Sequence, residues 1–486
     1  MRLARLFALA AAAGLAPAAR ADVTPHPLFT DHMVLQRDAD LPVWGLADPG
    51  EEVTVTLGEA SAKATAAQDR KWAAKLPPQK VATGLTLTIK GKNAVELKNV
   101  AVGDVWVCSG QSNMEQSIDG SWDADKYKAA ANNKMVRLYT VGRRTSATPV
   151  ADQTDMKHLG SWAVTAPDKI GGFSAAAYHF GQHLQKTLPG NVPIGLIHTS
   201  WGGTPAQAWA STEAMDAVPA LKHYATAAKA AKGPVGPGSP SSLYNAMIHP
   251  LLPFAIKGAI WYQGESNAGA AYEYRTLFPT MIKDWRAKWG NDFPFLCVQL
   301  APWHANDTEG VSWAELREAQ LLATQTLPQV GMAVITDVGD LFDIHPKDKF
   351  TVGTRLALYA RGMTYGQKMV YSGPVYKSLK VEGNKAVLTF DHMGGGLTGK
   401  YPLLNGFEVC GKDRVFRPAR AFVKGDTVEV TAAGVDAPEA VRFGWKNYPV
   451  TNLWNKQLDG KGIALPATPF RTDDYPLTTA PQPAKK

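Results

Sequence analysis

The chain has 486 residues, 45% of them hydrophobic, with a formal net charge of +8 and three cysteines. That length accommodates two or three domains around a sizeable core, while three widely spaced cysteines exclude a disulfide scaffold and a cysteine metal cluster. The basic residues are scattered rather than gathered into a stripe, which argues against nucleic acid as the partner.

Residues 1–21 open with Arg2 and Arg5, run through an apolar stretch from Ala8 to Ala18 and close on Ala19-Arg20-Ala21. A basic start, a short apolar run and an A-x-A site predict a secretory signal peptide cleaved before Asp22. Its loss would lower the net charge to +5, and no later stretch is apolar for long enough to span a bilayer. A periplasmic or secreted soluble protein without membrane anchoring is therefore expected; nothing in the sequence fixes its oligomeric state.

From 22 to 101 the pattern has period two. Val53, Val55 and Leu57 alternate with Glu52, Thr54 and Thr56, and Leu85, Leu87 and Ile89 alternate with threonines and Lys90, which predicts an N-terminal β-sandwich region. From 102 to 368 short apolar runs alternate with helical stretches. The runs are 105–108, 135–141, 194–198, 258–262, 295–300 and 332–335; the helical stretches are 174–188, 212–232, 272–289, 312–327 and 349–361. Such alternation predicts an α/β domain with a parallel sheet covered on both faces, whose ligand crevice lies beyond the carboxyl ends of the strands. Cys108 and Cys297 fall in these runs and read as small hydrophobes. Period two returns from 369 to 472 at Val387, Thr389, Val428, Val430, Val441 and Phe443, predicting a C-terminal β-sandwich-like region. Residues 473–486, rich in proline and lysine, read as a loose tail.

Four loops after the predicted strands carry polar residues that a plain α/β core does not require. The first holds Gly110-Gln111-Ser112-Asn113, placing Ser112 as candidate nucleophile at a sheet edge, with Gln111 and Asn113 available to orient the site. The second, Trp201-Gly202-Gly203-Thr204, has glycines that let backbone N–H groups approach a ligand. The third is Gln263-Gly264-Glu265-Ser266-Asn267, and the fourth carries Asp337, Asp340, Asp343 and His345. Together they supply a hydroxyl, oxyanion donors, a base and an acid.

Competing sites are weaker. Gly172-Phe173-Ser174-Ala175 lacks the second glycine of a nucleophile elbow, and Ser174 sits where a helix N-cap belongs. His179 and His183 have zinc-like spacing but no HExxH pattern and no third ligand nearby, so no metal is expected. His198, within an apolar strand, reads as a hydrogen-bonded core histidine. No Walker or dinucleotide fingerprint is present, so no cofactor is expected.

The ordered set Ser109-Gly110-Gln111-Ser112-Asn113-Met114, Trp201-Gly202-Gly203-Thr204-Pro205, Trp261-Tyr262-Gln263-Gly264-Glu265-Ser266-Asn267 and Asp343-Ile344-His345-Pro346 resembles the sialate O-acetylesterase family, a branch of the SGNH hydrolases. The resemblance implies an SGNH-type parallel-sheet hydrolase domain and an acetylated carbohydrate as partner, either a sialic acid or a plant hemicellulose. It also implies Ser112 as nucleophile, His345 as base, Asp343 as its acid with Asp340 or Asp337 as alternatives, and an oxyanion site from the N–H groups of Ser112 and Gly203. A side-chain amide completes that site, Gln263 first and Asn267 second, because Gly264-Glu265-Ser266-Asn267 departs from the G-x-N-D pattern of SGNH enzymes. The acid likewise stands two residues before the histidine rather than three. Trp201, Trp261 and Trp303 are candidate sugar platforms or core residues. A non-catalytic glycan-binding protein would need such platforms but not Ser112 together with His345.

Overall fold

The computed structural model describes residues 22–304, 310–399, 401–457 and 464–481, so the predicted signal peptide lies outside the described residues. The N-terminal region contains strands β1 (Val34–Gln36), β2 (Leu41–Leu46), β3 (Glu52–Leu57), β4 (Ala60–Thr65), β5 (Lys71–Leu76), β6 (Ala82–Lys90) and β7 (Ala94–Gly110). β2 pairs β5 in one sheet; in the other, β3 pairs β4 and β6, and β6 pairs β7, all antiparallel. The predicted alternation is realised: Val53, Val55, Leu57, Leu87 and Ile89 are buried, while the intervening threonines are partly exposed.

β7 does not end with this region. Its 17 residues pass out of the antiparallel sheet and become the middle strand of a parallel one. The predicted boundary at 101/102 thus falls inside one strand, where Val100 to Gly110 are buried without interruption, as expected of a strand covered on both faces. Around it lie β8 (Val136–Thr140), β9 (Ile194–Ser200), β10 (Gly258–Tyr262), β11 (Phe295–Val298) and β12 (Val330–Ala333), in the spatial order β8-β9-β7-β10-β11-β12.

Helices α1 (Ser112–Glu115), α2 (Ala175–Thr187), α3 (Ala271–Trp289), α4 (Ser312–Thr326) and α5 (Lys349–Tyr359) cover the sheet, α2 and α5 against one face and α3 and α4 against the other. The helix predicted over 212–232 is broken into Thr212–Asp216 and Lys222–Ala230, because Pro219 opens a separate turn between them. Ser174 caps α2 as predicted, its hydroxyl accepting from the Ala177 N–H at 3.2 Å. No described helix is long and apolar enough to cross a membrane.

The C-terminal region comprises β13 (Val375–Glu382), β14 (Lys385–Asp391), β15 (Phe407–Cys410), β16 (Arg420–Lys424), β17 (Thr427–Thr431) and β18 (Ala440–Phe443). One sheet runs β13-β14-β17-β16 and a second pairs β15 with β18. On β14 the buried residues are Ala386, Leu388 and Phe390, so Val387 and Thr389 of the predicted pattern lie on the opposite face. Both faces carry apolar residues there, and packing against β15 and β18 decides between them.

Arg317 on α4, fully buried, ties this region to the hydrolase layer by donating to the carbonyls of Leu300, Lys446 and Asn447 at 3.0, 2.8 and 2.7 Å. The tail is not loose where it is described. The buried carboxylate of Glu315 needs donors, and it receives the N–H and O–H groups of both Thr478 and Thr479 at 2.5 to 3.0 Å. All three cysteines are buried free thiols.

Candidate active site

Gly110, the last residue of β7, pairs with Ser200 at the end of β9 and with Tyr262 at the end of β10. Three strands therefore finish abreast at the point where the chain's strand order reverses, and the loops that follow converge on one crevice. Gly110 has φ of 142°, and a Cβ there would clash with the Tyr262 carbonyl oxygen. Only glycine lets the backbone turn so close to β10. The Gln111 N–H then donates to that carbonyl at 3.0 Å, and Ser112 opens α1.

His345 reaches this point on an irregular segment after β12. Its Nε2 lies 2.8 Å from the Ser112 Oγ although 233 positions separate the two residues. Burial lowers the His345 pKa from its ordinary value of 6.5, the Lys349 ammonium lowers it further, and Asp343 opposes both. A neutral imidazole beside a serine hydroxyl is the form that can take its proton.

The three candidate acids differ in what they hold. The Asp343 Oδ1 lies 3.6 Å from the His345 Nδ1, beyond hydrogen-bond length, and accepts the His345 backbone N–H at 2.8 Å. The Asp340 Oδ1 accepts the N–H groups of Phe342 and Asp343 at 2.8 and 3.1 Å, shaping the turn. Asp337 is bound through both oxygens by Arg355 at 2.6 and 2.7 Å.

On the opposite side of Ser112, a Cβ at Gly202 would lie 3.2 Å from the serine Cβ, so the Trp201-Gly202-Gly203 turn sits against Ser112. Gly203 takes φ of 73°. Among the described residues, neither the Ser112 nor the Gly203 backbone N–H has a hydrogen-bond acceptor. The Gly202 N–H is held by the Glu115 Oε2 at 2.8 Å, and the Glu115 Oε1 pairs with Arg143 at 2.5 Å. The Arg143 guanidinium lies 5.6 Å from the Trp201 ring.

The amides expected at the oxyanion position are committed elsewhere. Gln263, fully buried, spends its NH2 on the Thr204 carbonyl at 3.3 Å and the Asn267 Oδ1 at 2.7 Å, and its oxygen accepts from Tyr274 at 2.9 Å. The Asn267 Oδ1 also accepts the Ala206 N–H at 2.8 Å, and its Nδ2 donates to Gln207 at 3.0 Å. Both side chains fasten the second loop to the third. The Gln111 Oε1 does the same for the third loop, accepting the N–H groups of Gly264 and Ser266 at 3.4 and 3.2 Å.

Of the candidate platforms, Trp261 is fully buried against Trp209 and Trp285 and belongs to the core. Trp303 packs on Trp313, and Trp201 is partly exposed beside Arg143. Trp122, which the sequence did not single out, is 63% exposed and donates its backbone N–H to the Lys347 carbonyl, two residues past His345. His179 is a packing histidine pushed down to about 4 by burial, and no metal-binding group of residues exists among the described residues. His198 bonds Ser200 at 2.6 Å, as a core histidine should.

Lys349 and Glu265 were missed as site residues. Lys349 is fully buried, and its ammonium donates to the Asn113 Oδ1 at 2.7 Å and the Pro346 carbonyl at 2.6 Å. The Asn113 Nδ2 donates to the Glu265 Oε1 at 2.6 Å and the Ile344 carbonyl at 3.0 Å. One signal was available: a lysine on the first residue of a helix opposes the helix dipole, so its ammonium is wanted for something other than helix stability.

A family model described as carbohydrate esterase, sialic acid-specific acetylesterase matches residues 102–360. The human sialate O-acetylesterase is 30% identical over 489 residues, covering 91% of each chain. The chain belongs to the sialate O-acetylesterase family. Within that family the orangutan (Pongo abelii) sialate O-acetylesterase is equally similar, at 30% identity over 91% of each chain. A crystal structure of a carbohydrate acetylesterase from Xanthomonas citri superposes with a TM-score of 0.83 and 38% identity, covering 93% of this chain and all of that one. The resemblance read from the four loops is thus borne out, as is the α/β fold flanked by β regions. As a sialate O-acetylesterase family member the chain is an acetyl ester hydrolase rather than a glycan-binding module.

Proposed function

We propose that the chain removes acetyl groups from sugar hydroxyls through an acetyl-enzyme on Ser112. The observation that carries this reading is the 2.8 Å contact between the Ser112 Oγ and the His345 Nε2 at the convergence of the loops. His345 takes the serine proton as Oγ attacks the acetyl carbonyl, and returns it to the departing sugar oxygen. Water, deprotonated by the same imidazole, then releases acetate. The free N–H groups of Ser112 and Gly203 hold the oxyanion. With its NH2 already directed to protein acceptors, Gln263 serves this reading as a brace rather than a donor. Asp343 steadies His345 through the backbone contact at 2.8 Å and favours the imidazolium by its charge.

The substrate proposed first is an O-acetylated sialic acid, supported by the relatives named sialate O-acetylesterase; an acetylated hemicellulose such as xylan or xyloglucan is the second. Trp122 and Trp201 offer ring faces that suit either sugar. Acetate release from O-acetylated sialic acid, xylan and xyloglucan should differ by at least about tenfold in favour of the sialate, a gap of ~1.4 kcal/mol in transition-state binding. Faster release from either polymer would reverse the assignment. Export is proposed on the leader at 1–21. Intact-mass measurement on the exported protein should give a chain starting at Asp22, and retention of Met1 would reject it.

A further inference from the structure

We propose that Asn113 and Lys349 are positioning residues that lock the backbone on both sides of His345 to the nucleophile turn. The proposal rests on the reading of Ser112 and His345 as nucleophile and base. His345 stands in a segment that is neither helix nor strand, with its side chain 38% exposed, yet it meets Ser112 at hydrogen-bond distance. Something other than a regular element must hold it.

The carbonyl before His345, that of Ile344, accepts from the Asn113 Nδ2 at 3.0 Å, and the carbonyl after it, that of Pro346, accepts from the Lys349 Nζ at 2.6 Å. Lys349 and Asn113 are themselves joined at 2.7 Å. Asn113 follows Ser112 directly in the chain, so this bridge runs from the residue after the nucleophile to the peptides flanking the base. The amide orientation is dictated by chemistry: its nitrogen faces two acceptors, the Glu265 Oε1 and the Ile344 carbonyl, and its oxygen faces an ammonium. Glu265 is held in turn by its own loop, whose N–H groups at Gly264 and Ser266 are gripped by Gln111, the residue before the nucleophile. Residues 111 and 113 thus brace both neighbouring loops from either side of Ser112.

A fully buried lysine is costly unless its ammonium is used. Burial lowers Lys349 to about 7 against the pull of Glu265, Asp343 and Asp348, and its Nζ lies 5.5 Å from the Tyr262 ring centre. The charged groups facing His345 are Lys349 and Asp343, of opposite sign. Lys349 therefore acts on the base in two ways, by gripping Pro346 and by favouring the neutral imidazole.

The test uses the full chain and p-nitrophenyl acetate as probe. Lys349→Met keeps length and volume while removing the ammonium. It should lower kcat by roughly 100-fold, the scale of an ångström of misplacement, with KM changed less than about twofold. The acid limb of the kcat/KM profile should move to higher pH, because the cation that held the His345 pKa down is gone. Asn113→Ser should lower kcat on the same scale, and the double variant should be no slower than the slower single one, as befits one coupled unit. Near-wild-type kcat with an unmoved acid limb in Lys349→Met, or multiplicative losses in the double variant, would overturn the proposal. Should Lys349→Met not fold, Asn113→Ser decides alone: lost kcat at an unchanged Tm supports the lock, and full kcat refutes it. Ser112→Ala in parallel separates the two levels. Retained activity there would refute the nucleophile itself, whereas an inactive Ser112→Ala beside a fully active Lys349→Met refutes only the lock.

Discussion

The two halves of the proposed active site are built on different principles. Ser112 stands at the end of a central strand whose neighbours β9 and β10 finish in register with it, so its position follows from sheet hydrogen bonding. His345 stands on a segment whose shape comes from side chains: Asp340 and Asp343 accept its turn N–H groups, and Asp337 is fastened to Arg355 on α5. A sheet fixes a nucleophile through many weak, redundant backbone bonds. A loop fixes a base through a few specific side chains, and each of these is a separate point of failure.

The largest effect should come from removing either proposed reacting group. Ser112→Ala is expected to cut acetate release by about 10⁵-fold or more while leaving Tm unchanged within about 2 °C. His345→Ala should cost about as much, and adding it to Ser112→Ala should cost almost nothing further. Labelling of Ser174 instead of Ser112 by an organophosphorus ester would show that Ser112 is not the nucleophile.

Next comes the strand side. Gly110→Ala puts a Cβ into the Tyr262 carbonyl at a φ that other residues avoid, and should destabilise the fold by more than about 3 kcal/mol in urea titrations. An equal change in the base segment, which lacks sheet bonding, should cost far less stability than activity.

Asp343→Asn sharpens the contrast through pH. In the proposed mechanism the base is neutral His345, so activity should be lost as pH falls through its pKa. That pKa lies below the ordinary 6.5, and the wild-type acid limb should lie there too. Asp343 raises the His345 pKa, so its neutralisation should move the acid limb to still lower pH while kcat falls by about tenfold. An acid limb moving upward would show that Asp343 does not act through the imidazole. The smallest effect should be that of Asp340→Asn, because a carboxamide oxygen can still accept from Phe342 and Asp343; kcat should fall less than about threefold.

The same contrast explains what the sequence disclosed. Hydrophobic periodicity marks the strands, and the strands determine where their loops emerge, so the sequence alone places Ser112, Gly203 and Gln263 at one crevice. The fate of an amide could not. Whether Gln263 points at a ligand or at Thr204 depends on the packing of two loops against each other, and sequence spacing carries no term for that. Lys349 escapes notice for a similar reason: its burial follows from the docking of α5 beside the Ser112 turn. The anchoring of the tail is not legible in the sequence because its partner, Glu315, lies more than 160 residues away.

The continuity of β7 bears on how such an enzyme can be cut or recombined. An appended sandwich can ordinarily be removed at its linker, but here the residues of the antiparallel sheet and those leading to Ser112 belong to one strand, Ala94–Gly110, bulged once at Asn99 and with no linker between its two parts. A truncation that discards the N-terminal sheet strips β6 from one end of the strand that leads to Ser112. The N-terminal region is therefore part of the catalytic domain's scaffold, and a graft of the hydrolase layer onto another protein has to carry it along.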